Sequence, residues 1–228
     1  MYSIIKMDWT TIILSLIVIV LIYILYVYFI SSSTIIQQSA SLTGSNPAIT
    51  SINSGQSTRY AYGIWVYVNT WDTTSPKIIF SRNNNIAIYL DTNTPTLYCD
   101  IQLMDTEQPQ RITVTNNFPL QTWTYVTVSA DNNIIDCYMD GKLINSVKLN
   151  AYPSTPGTVQ TDPVLLGSGW DAYVSGFQNW SGPIGPEEVW DNYMSGTGNA
   201  FTSFLSQYSL NLSVDKNNVQ QSSYTMNL

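Results

Sequence analysis

Histidine is absent from this sequence, which has 228 residues. Its absence excludes Ser-His-Asp and Cys-His catalysis, His-ligated zinc and the commonest general base of enzymes. Cations are also scarce: eight Lys and Arg stand against fifteen Asp and Glu, and the formal net charge is −7. No two cations are adjacent in the sequence, which leaves no basic patch for phosphate groups. We therefore do not expect nucleic-acid binding.

Carboxylates in an arrangement suited to hydrolysis are lacking too. Sandwich glycosidases hold two carboxyl groups beside the scissile bond, and their strand motif Glu-x-Asp-x-Glu does not occur here. Glu107 lies in a predicted turn, whereas Glu187 and Glu188 begin a predicted helix, where acidic side chains favour the helix dipole. Asp100 is well placed on a predicted strand but has no acidic partner two residues away. We expect a protein that is not an enzyme.

Cysteine is limited to Cys99 and Cys137, both within predicted strands. Two cysteines are too few for a disulfide scaffold or a Cys-rich zinc site. Two buried thiols that act as small hydrophobic side chains are the favoured interpretation. A single cross-strand disulfide between Cys99 and Cys137 is the alternative.

One long apolar run contrasts with the polar remainder of the chain. Residues 12–30 are nineteen uncharged residues, fifteen of them Ile, Leu, Val or Phe. A helix of this length is about 29 Å long, close to the thickness of the bilayer hydrocarbon core. Trp9 precedes the run and Tyr26 and Tyr28 lie near its end, as in aromatic belts. The run predicts one uncleaved transmembrane helix from Ile12 to Ile30, because a strand would be shorter and no clear signal-peptidase site follows.

The rest of the chain divides by composition into distinct segments. In order, these are an N-terminal tail (1–11), the transmembrane helix (12–30), an uncharged flexible tether (31–57), a strand-rich domain (58–195) and a polar C-terminal extension (196–228). Within the strand-rich domain the hydrophobic period is two, and turns rich in Asn, Asp, Gly and Pro separate the short strands. The pair Asp140-Gly141 is the strongest two-residue hairpin signal. Two short helices are predicted, over Pro186–Met194 and Phe201–Tyr208.

The predicted strands are four to ten residues long and alternate with these turns. They are 60–69, 77–81, 86–90, 96–103, 111–115, 123–130, 134–139, 142–149 and 164–167. Many short strands without intervening helices indicate an all-β sandwich or barrel.

Three sequence blocks in this domain resemble the laminin-G-like or concanavalin A-like jelly roll. They are Tyr62–Val68, the pair Trp123–Ser129 with Asp136–Leu143, and the closing segments Leu165–Gly167, Gly176–Trp180 and Ile184–Val189. The resemblance covers about residues 58–195 and implies a two-sheet antiparallel jelly-roll sandwich. Within it we expect Trp65, Trp123 and Trp190 to be buried and Gly167 to allow close approach of strands.

Two loops carry the candidate binding residues. Trp71 and Asp72 lie in one, and Trp170 and Asp171 lie in the other. An exposed Trp beside an Asp suits a sugar or protein ligand. No cofactor is indicated, although Asp91 or Asp171 offers a sparse set of oxygen atoms for calcium.

The composition and the single anchor resemble lectin-fold virion membrane or minor capsid proteins of large DNA viruses, which link an internal membrane to the capsid shell. The main hypothesis is a non-enzymatic, single-pass membrane protein that tethers a bilayer to a protein shell. Its partners would be the lipid bilayer and capsid or neighbouring subunits, at the virion membrane/capsid interface. The alternative is a cell-surface or viral carbohydrate-binding adhesin or receptor, with glycans as partners.

Overall fold

Strands dominate the structure, a computed structural model that describes residues 14–22, 34–52, 57–104, 106–196, 209–216 and 219–227. Two units make up the chain, Met1–Thr34 and Ile35–Leu228. In the first unit, residues 14–22 form a helix, α1, whose side chains are exposed. The described residues contain no helix that combines the length and the apolar character needed to cross a bilayer. Trp9, Ile12, Tyr26, Tyr28 and Ile30 lie outside the described residues, so the predicted anchor stays a prediction.

The second unit contains two antiparallel sheets that pack face to face. The six-stranded sheet has the order β1 (Thr34–Ser41), β11 (Ala172–Trp180), β2 (Arg59–Val68), β7 (Trp123–Asp131), β8 (Ile134–Met139) and β9 (Lys142–Lys148). The five-stranded sheet has the order β10 (Val164–Leu166), β3 (Lys77–Arg82), β4 (Ile86–Leu90), β5 (Leu97–Ile101) and β6 (Gln110–Thr115). A third sheet pairs β12 (Ser209–Lys216) with β13 (Val219–Asn227). The predicted all-β, jelly-roll-like sandwich is confirmed.

Side chains along a strand point alternately to its two faces, so every second side chain lies in the space between the two sheets. In β4, Ile86, Ile88 and Leu90 are buried, and the residues between them are partly exposed. The turn between β8 and β9 has positive φ at both Asp140 (48°) and Gly141 (77°), as a type I′ hairpin requires. At Gly167 a Cβ would overlap the carbonyl group of Ile78, so the expected close approach at this glycine is confirmed.

Strand β2 is buried on both faces because a helix covers the outer face of its sheet. Helix α2 (Pro186–Met194) has the predicted bounds, with proline at its start and Glu187 and Glu188 in its first turn. Val189 packs against Trp65 and neighbouring residues of the outer face. The second predicted helix, Phe201–Tyr208, lies outside the described residues, and the extension that follows it contains β12 and β13.

The segment predicted as a flexible tether (31–57) differs from that expectation. It contains β1 (Thr34–Ser41), and beyond it Leu42, Ile49 and Ile52 are buried in the core. The Leu42 amide donates to the Ala172 carbonyl of one sheet, and the Ile49 amide donates to the Val164 carbonyl of the other. In the sequence, isolated apolar residues separated by Ser, Thr and Asn indicate a linker. In the structure, these apolar residues close one side of the sandwich.

The tryptophan predictions hold only in part. Trp65 is buried, as expected, but Trp123 is 39% exposed and Trp190 is 43% exposed. Val126 and Val128 do lie in the core. Since successive side chains of a strand alternate between faces, a residue three positions before Val126 must point to the opposite face. Trp123 therefore lies on the outer face of the six-stranded sheet.

Cys99 and Cys137 are free thiols and are fully buried. They lie on β5 and β8, which belong to opposite sheets, and both contribute to the core between those sheets. Burial, followed by the neighbouring Cys137 thiol, raises the pKa of Cys99 well above its usual value. Neither thiol is suited to nucleophilic chemistry in this environment.

Candidate ligand-binding site

The two predicted binding loops come together at one end of the sandwich. The backbone amide of Asn69 donates to the Asp171 carbonyl over 3.0 Å, and the Asp171 carboxylate accepts bonds from the Asn69 amide (2.7 Å) and the Thr70 hydroxyl (2.9 Å). These bonds join the loop before Trp71 to the loop of Trp170. The sequence named these as two separate loops, and their contact is a finding of the structure.

Trp170 is not an exposed anchor, and that expectation is wrong. The side chain is 5% exposed and its indole N–H donates to the Ile78 carbonyl over 2.9 Å. Trp71 is partly buried and packs against the core, with the ammonium group of Lys77 4.7 Å from its ring centroid. Both tryptophans stabilise the sandwich itself.

The candidate carboxylates Asp72 and Asp91 are occupied by local bonds. Asp72 accepts from the hydroxyl and the backbone N–H of Thr74, which lower its pKa to about 2, and also from Lys77. Asp91 accepts from the backbone N–H groups of Asn93 and Thr94 in a tight turn. No group of three or more His, Cys, Asp or Glu able to hold a metal ion occurs within the described part of the chain. Calcium binding at Asp91 or Asp171 stays a prediction.

The outer face of the five-stranded sheet carries an arrangement that the sequence did not reveal. One outward row crosses all five strands in register, from Leu165 through Ser81, Ala87 and Asp100 to Arg111. Because the middle residues are small, the row encloses a depression between its larger ends. The result is a cleft of about 510 Å³, within the size range of small-molecule sites. Four residues of the row line it, namely Leu165, Ser81, Ala87 and Asp100, together with Asn83, Gln102, Thr161, Arg82, Asn85, Ile86, Pro109 and Pro163.

An ion pair holds Asp100, one of the residues that line this cleft. Asp100 accepts two bonds from the Arg111 guanidinium, over 3.0 and 3.1 Å, and a third from the Tyr89 hydroxyl over 2.9 Å. The guanidinium also lies over the Tyr89 and Tyr98 rings, 5.5 and 5.0 Å from their centroids. The bonds to Asp100 raise the pKa of Arg111, and burial followed by the Asp100 bond raises that of Tyr89. Three neighbours thus fix the guanidinium in place, although its side chain is 58% exposed.

A buried arginine holds the opposite wall. Arg82 is 3% exposed, and its three nitrogens donate to the Asp162 carbonyl (2.9 Å), the Tyr62 hydroxyl (3.0 Å) and the Gly157 carbonyl (3.2 Å). The Asp162 carboxylate accepts the Gly157 backbone N–H over 2.7 Å and the Asn83 amide over 3.3 Å. These bonds fasten residues 157–162 against β3, so that wall is also rigid.

Polar atoms remain available inside the cleft. The amide nitrogens of Asn83 and Gln102 donate to Asp162 and to backbone carbonyls, which leaves both side-chain oxygens without a donor among the described residues. Asp100 accepts three bonds and has room for a fourth. The sequence did not predict this site, because Arg111, the partner of Asp100, lies on the neighbouring strand and is eleven positions away along the chain.

A second exposed surface lies on the other sheet. Tyr173, Tyr67 and Trp123 form a cross-strand row on β11, β2 and β7. The Tyr67 ring centroid is 5.5 Å from that of Trp123 and 6.4 Å from that of Tyr173. Tyr173 is 43% exposed. We call these three residues the aromatic row.

Comparison with known proteins gives one family match. The model of the concanavalin A-like lectin/glucanases superfamily matches residues 42–198. No curated protein matches the sequence significantly.

Similar solved structures include binding domains of botulinum neurotoxins. The serotype D ligand-binding domain in complex with N-acetylneuraminic acid has a TM-score of 0.56 and 12% identity over 70% of this chain and 42% of its own. The receptor-binding domain of neurotoxin D has a TM-score of 0.54 and 12% identity, over 69% and 44%. The neurotoxin DC domain bound to rat synaptotagmin II has a TM-score of 0.50 and 14% identity, over 60% and 35%. The chain spans less than half of these structures, and the identities establish the shared fold alone.

Proposed function

The chain belongs to the concanavalin A-like lectin/glucanases superfamily, and from this premise we propose that it is a glycan-binding module. The ligand occupies the cleft on the outer face of the five-stranded sheet. The observation that carries the proposal is the carboxylate of Asp100 in the lining of that cleft, which bonds from Arg111 and Tyr89 hold in place.

Sugar hydroxyls both donate and accept hydrogen bonds, so a saccharide site needs acceptors and donors close together. The cleft supplies acceptors at Asp100, Asn83 and Gln102, and the hydroxyl of Ser81, which also lines it, can donate. The walls are held by internal bonds, which lowers the entropy lost on binding. The neurotoxin domain solved with N-acetylneuraminic acid supports a saccharide ligand for this fold.

The proposed module is not an enzyme. Asp100 is the one carboxylate among the residues that line the cleft, and it is engaged by Arg111 and Tyr89. Glycoside hydrolysis uses a pair of carboxyl groups with separate roles. The predicted anchor at residues 12–30 would hold the module at a bilayer, which fits a surface adhesin or receptor. The comparisons favour this alternative over a tether within a virion.

The proposal is tested by filling the cleft. Ala87 lies in the middle of the outward row, so Ala87→Phe places a ring in the depression without entering the core. We expect saccharide binding, measured by glycan array and calorimetric titration, to fall at least about tenfold, since a bulky group replaces ligand volume. The melting temperature should stay close to that of the parent chain.

The matched control is Ser146→Phe, which puts the same ring at an exposed strand position on the six-stranded sheet. It should leave saccharide affinity unchanged. Equal binding by the parent chain and the Ala87 variant would refute the cleft as the site.

A second candidate function is contact with protein, and the aromatic row favours it. Tyr and Trp give large contact area with little loss of side-chain entropy, and Trp123 and Tyr173 are exposed. Under this proposal, cross-linking in the native assembly joins residues 58–228 to a repeating neighbour, and Trp123→Ala weakens that contact. Saccharide binding with no such cross-links would exclude it.

A further inference from the structure

We propose that the cleft takes an uncharged saccharide and discriminates against carboxylated or sulfated ones. This inference rests on the proposed function, because it names the class of ligand for the same site.

The charges around the cleft cancel in pairs. Arg82 and Asp100 are the charged residues among those that line it. The guanidinium of Arg111 neutralises Asp100 over 3.0 and 3.1 Å. The carboxylate of Asp162 lies on the same short loop that accepts the Arg82 bonds, joined to it through Gly157. Two cations and two anions therefore leave no net charge for an ionic ligand to meet.

Neither arginine of these pairs offers a favourable site for an anion. Arg82 is 3% exposed, and three of its five N–H groups donate to neutral oxygens, so burial leaves little of its guanidinium within reach of a carboxylate. Arg111 is exposed, but an anion bound to it would lie close to Asp100 and to its negative charge. Like charges at short range repel.

The net negative charge of the whole chain also disfavours anionic ligands. Its formal net charge is −7, which repels anionic ligands at long range. A neutral saccharide avoids these costs, since its hydroxyls can bond to Asp100, Asn83 and Gln102 and the ligand carries no charge of its own to be stripped of water.

Asp100→Asn tests the inference by leaving the charge of Arg111 unbalanced while keeping the shape of the side chain. Neutral and acidic oligosaccharides of matched size are titrated into the parent chain and the variant. The parent should prefer the neutral ligand. The variant should raise affinity for the acidic ligand relative to the neutral one, on the order of tenfold at low salt, and the gain should shrink in about 0.5 M salt.

Asp131→Asn is the matched control, because it breaks an exposed Arg–Asp pair with Arg59 on the other sheet. It should leave the preference unchanged. Should the Asp100 variant fail to fold, Arg111→Gln gives a second test with the opposite sign, since it leaves Asp100 unpaired and should lower acidic binding further.

The outcomes separate the two proposals. A parent chain that prefers acidic saccharides, or variants that leave the ratio of affinities unchanged, would overturn the inference while glycan binding stands. No binding of either saccharide class would overturn the proposed function together with the inference.

Discussion

At the scale of single residues, Asp100 determines the character of the cleft. Its side chain is 11% exposed and bonds to the guanidinium of Arg111 and the hydroxyl of Tyr89. The Tyr89 ring in turn contacts the ring of Tyr98. A mostly buried carboxylate is stable only when its partners satisfy it, and a guanidinium held by three neighbours loses little entropy when it binds a ligand. One residue therefore makes the wall both rigid and neutral.

The tryptophans provide a stability test at the same scale. Trp170→Ala should destabilise the fold by about 3–5 kcal/mol, because it empties a buried site and leaves the Ile78 carbonyl without its donor. Trp123→Ala should cost about 1 kcal/mol or less, because Trp123 is 39% exposed on the outer face. Urea unfolding of both variants measures the difference. A larger loss for Trp123 than for Trp170 would contradict the register of β7.

These two residues also show what sequence reasoning can supply. Trp170 lies in a loop, and a loop tryptophan has no periodicity from which its burial can be predicted. For Trp123 the information was present, since the spacing to Val126 is odd and the period of a strand is two. The Asp100–Arg111 pair depends on the register between β5 and β6, which one sequence does not specify.

At the scale of elements, the bounds of β4, β8 and α2 agree with those expected from the sequence. Each has a clear period and a strong boundary signal, such as Asp140-Gly141 after β8 or Pro186 at the start of α2. Strand β1 lacked both signals, and β11, which has a bulge between Ser175 and Gln178, was not predicted as a strand. Alternation is lost at a bulge, so a strand that contains one is hard to recognise.

The segment after β1 is tested by Leu42→Ala. Leu42 is fully buried, so the variant should lose about 2–5 kcal/mol of unfolding free energy. Ser45→Ala, at an exposed position in the same segment, is the matched control and should have no measurable effect. Denaturant unfolding followed by tryptophan fluorescence measures both. If Leu42→Ala matched the parent, residues 42–52 would be the flexible tether that the sequence suggested.

At the scale of the whole molecule, the fold followed from many weak signals that agreed. Period-two segments, frequent turns and three ordered blocks predicted a two-sheet sandwich, and the family match over residues 42–198 supports the same fold. Function depends on surfaces that form only when the strands are assembled. The cleft and the aromatic row lie on the outer faces of opposite sheets. An experiment that maps binding to residues can therefore tell which of the two surfaces a ligand occupies.

The most direct test of the account is backbone amide chemical-shift mapping of the chain during titration with a neutral saccharide that an array has identified. The account predicts shifts concentrated on the outward positions of β3, β4 and β5 and on residues 161–165, and it predicts that they disappear in Ala87→Phe. Shifts concentrated instead on Tyr67, Trp123 and Tyr173, and unchanged by Ala87→Phe, would contradict it.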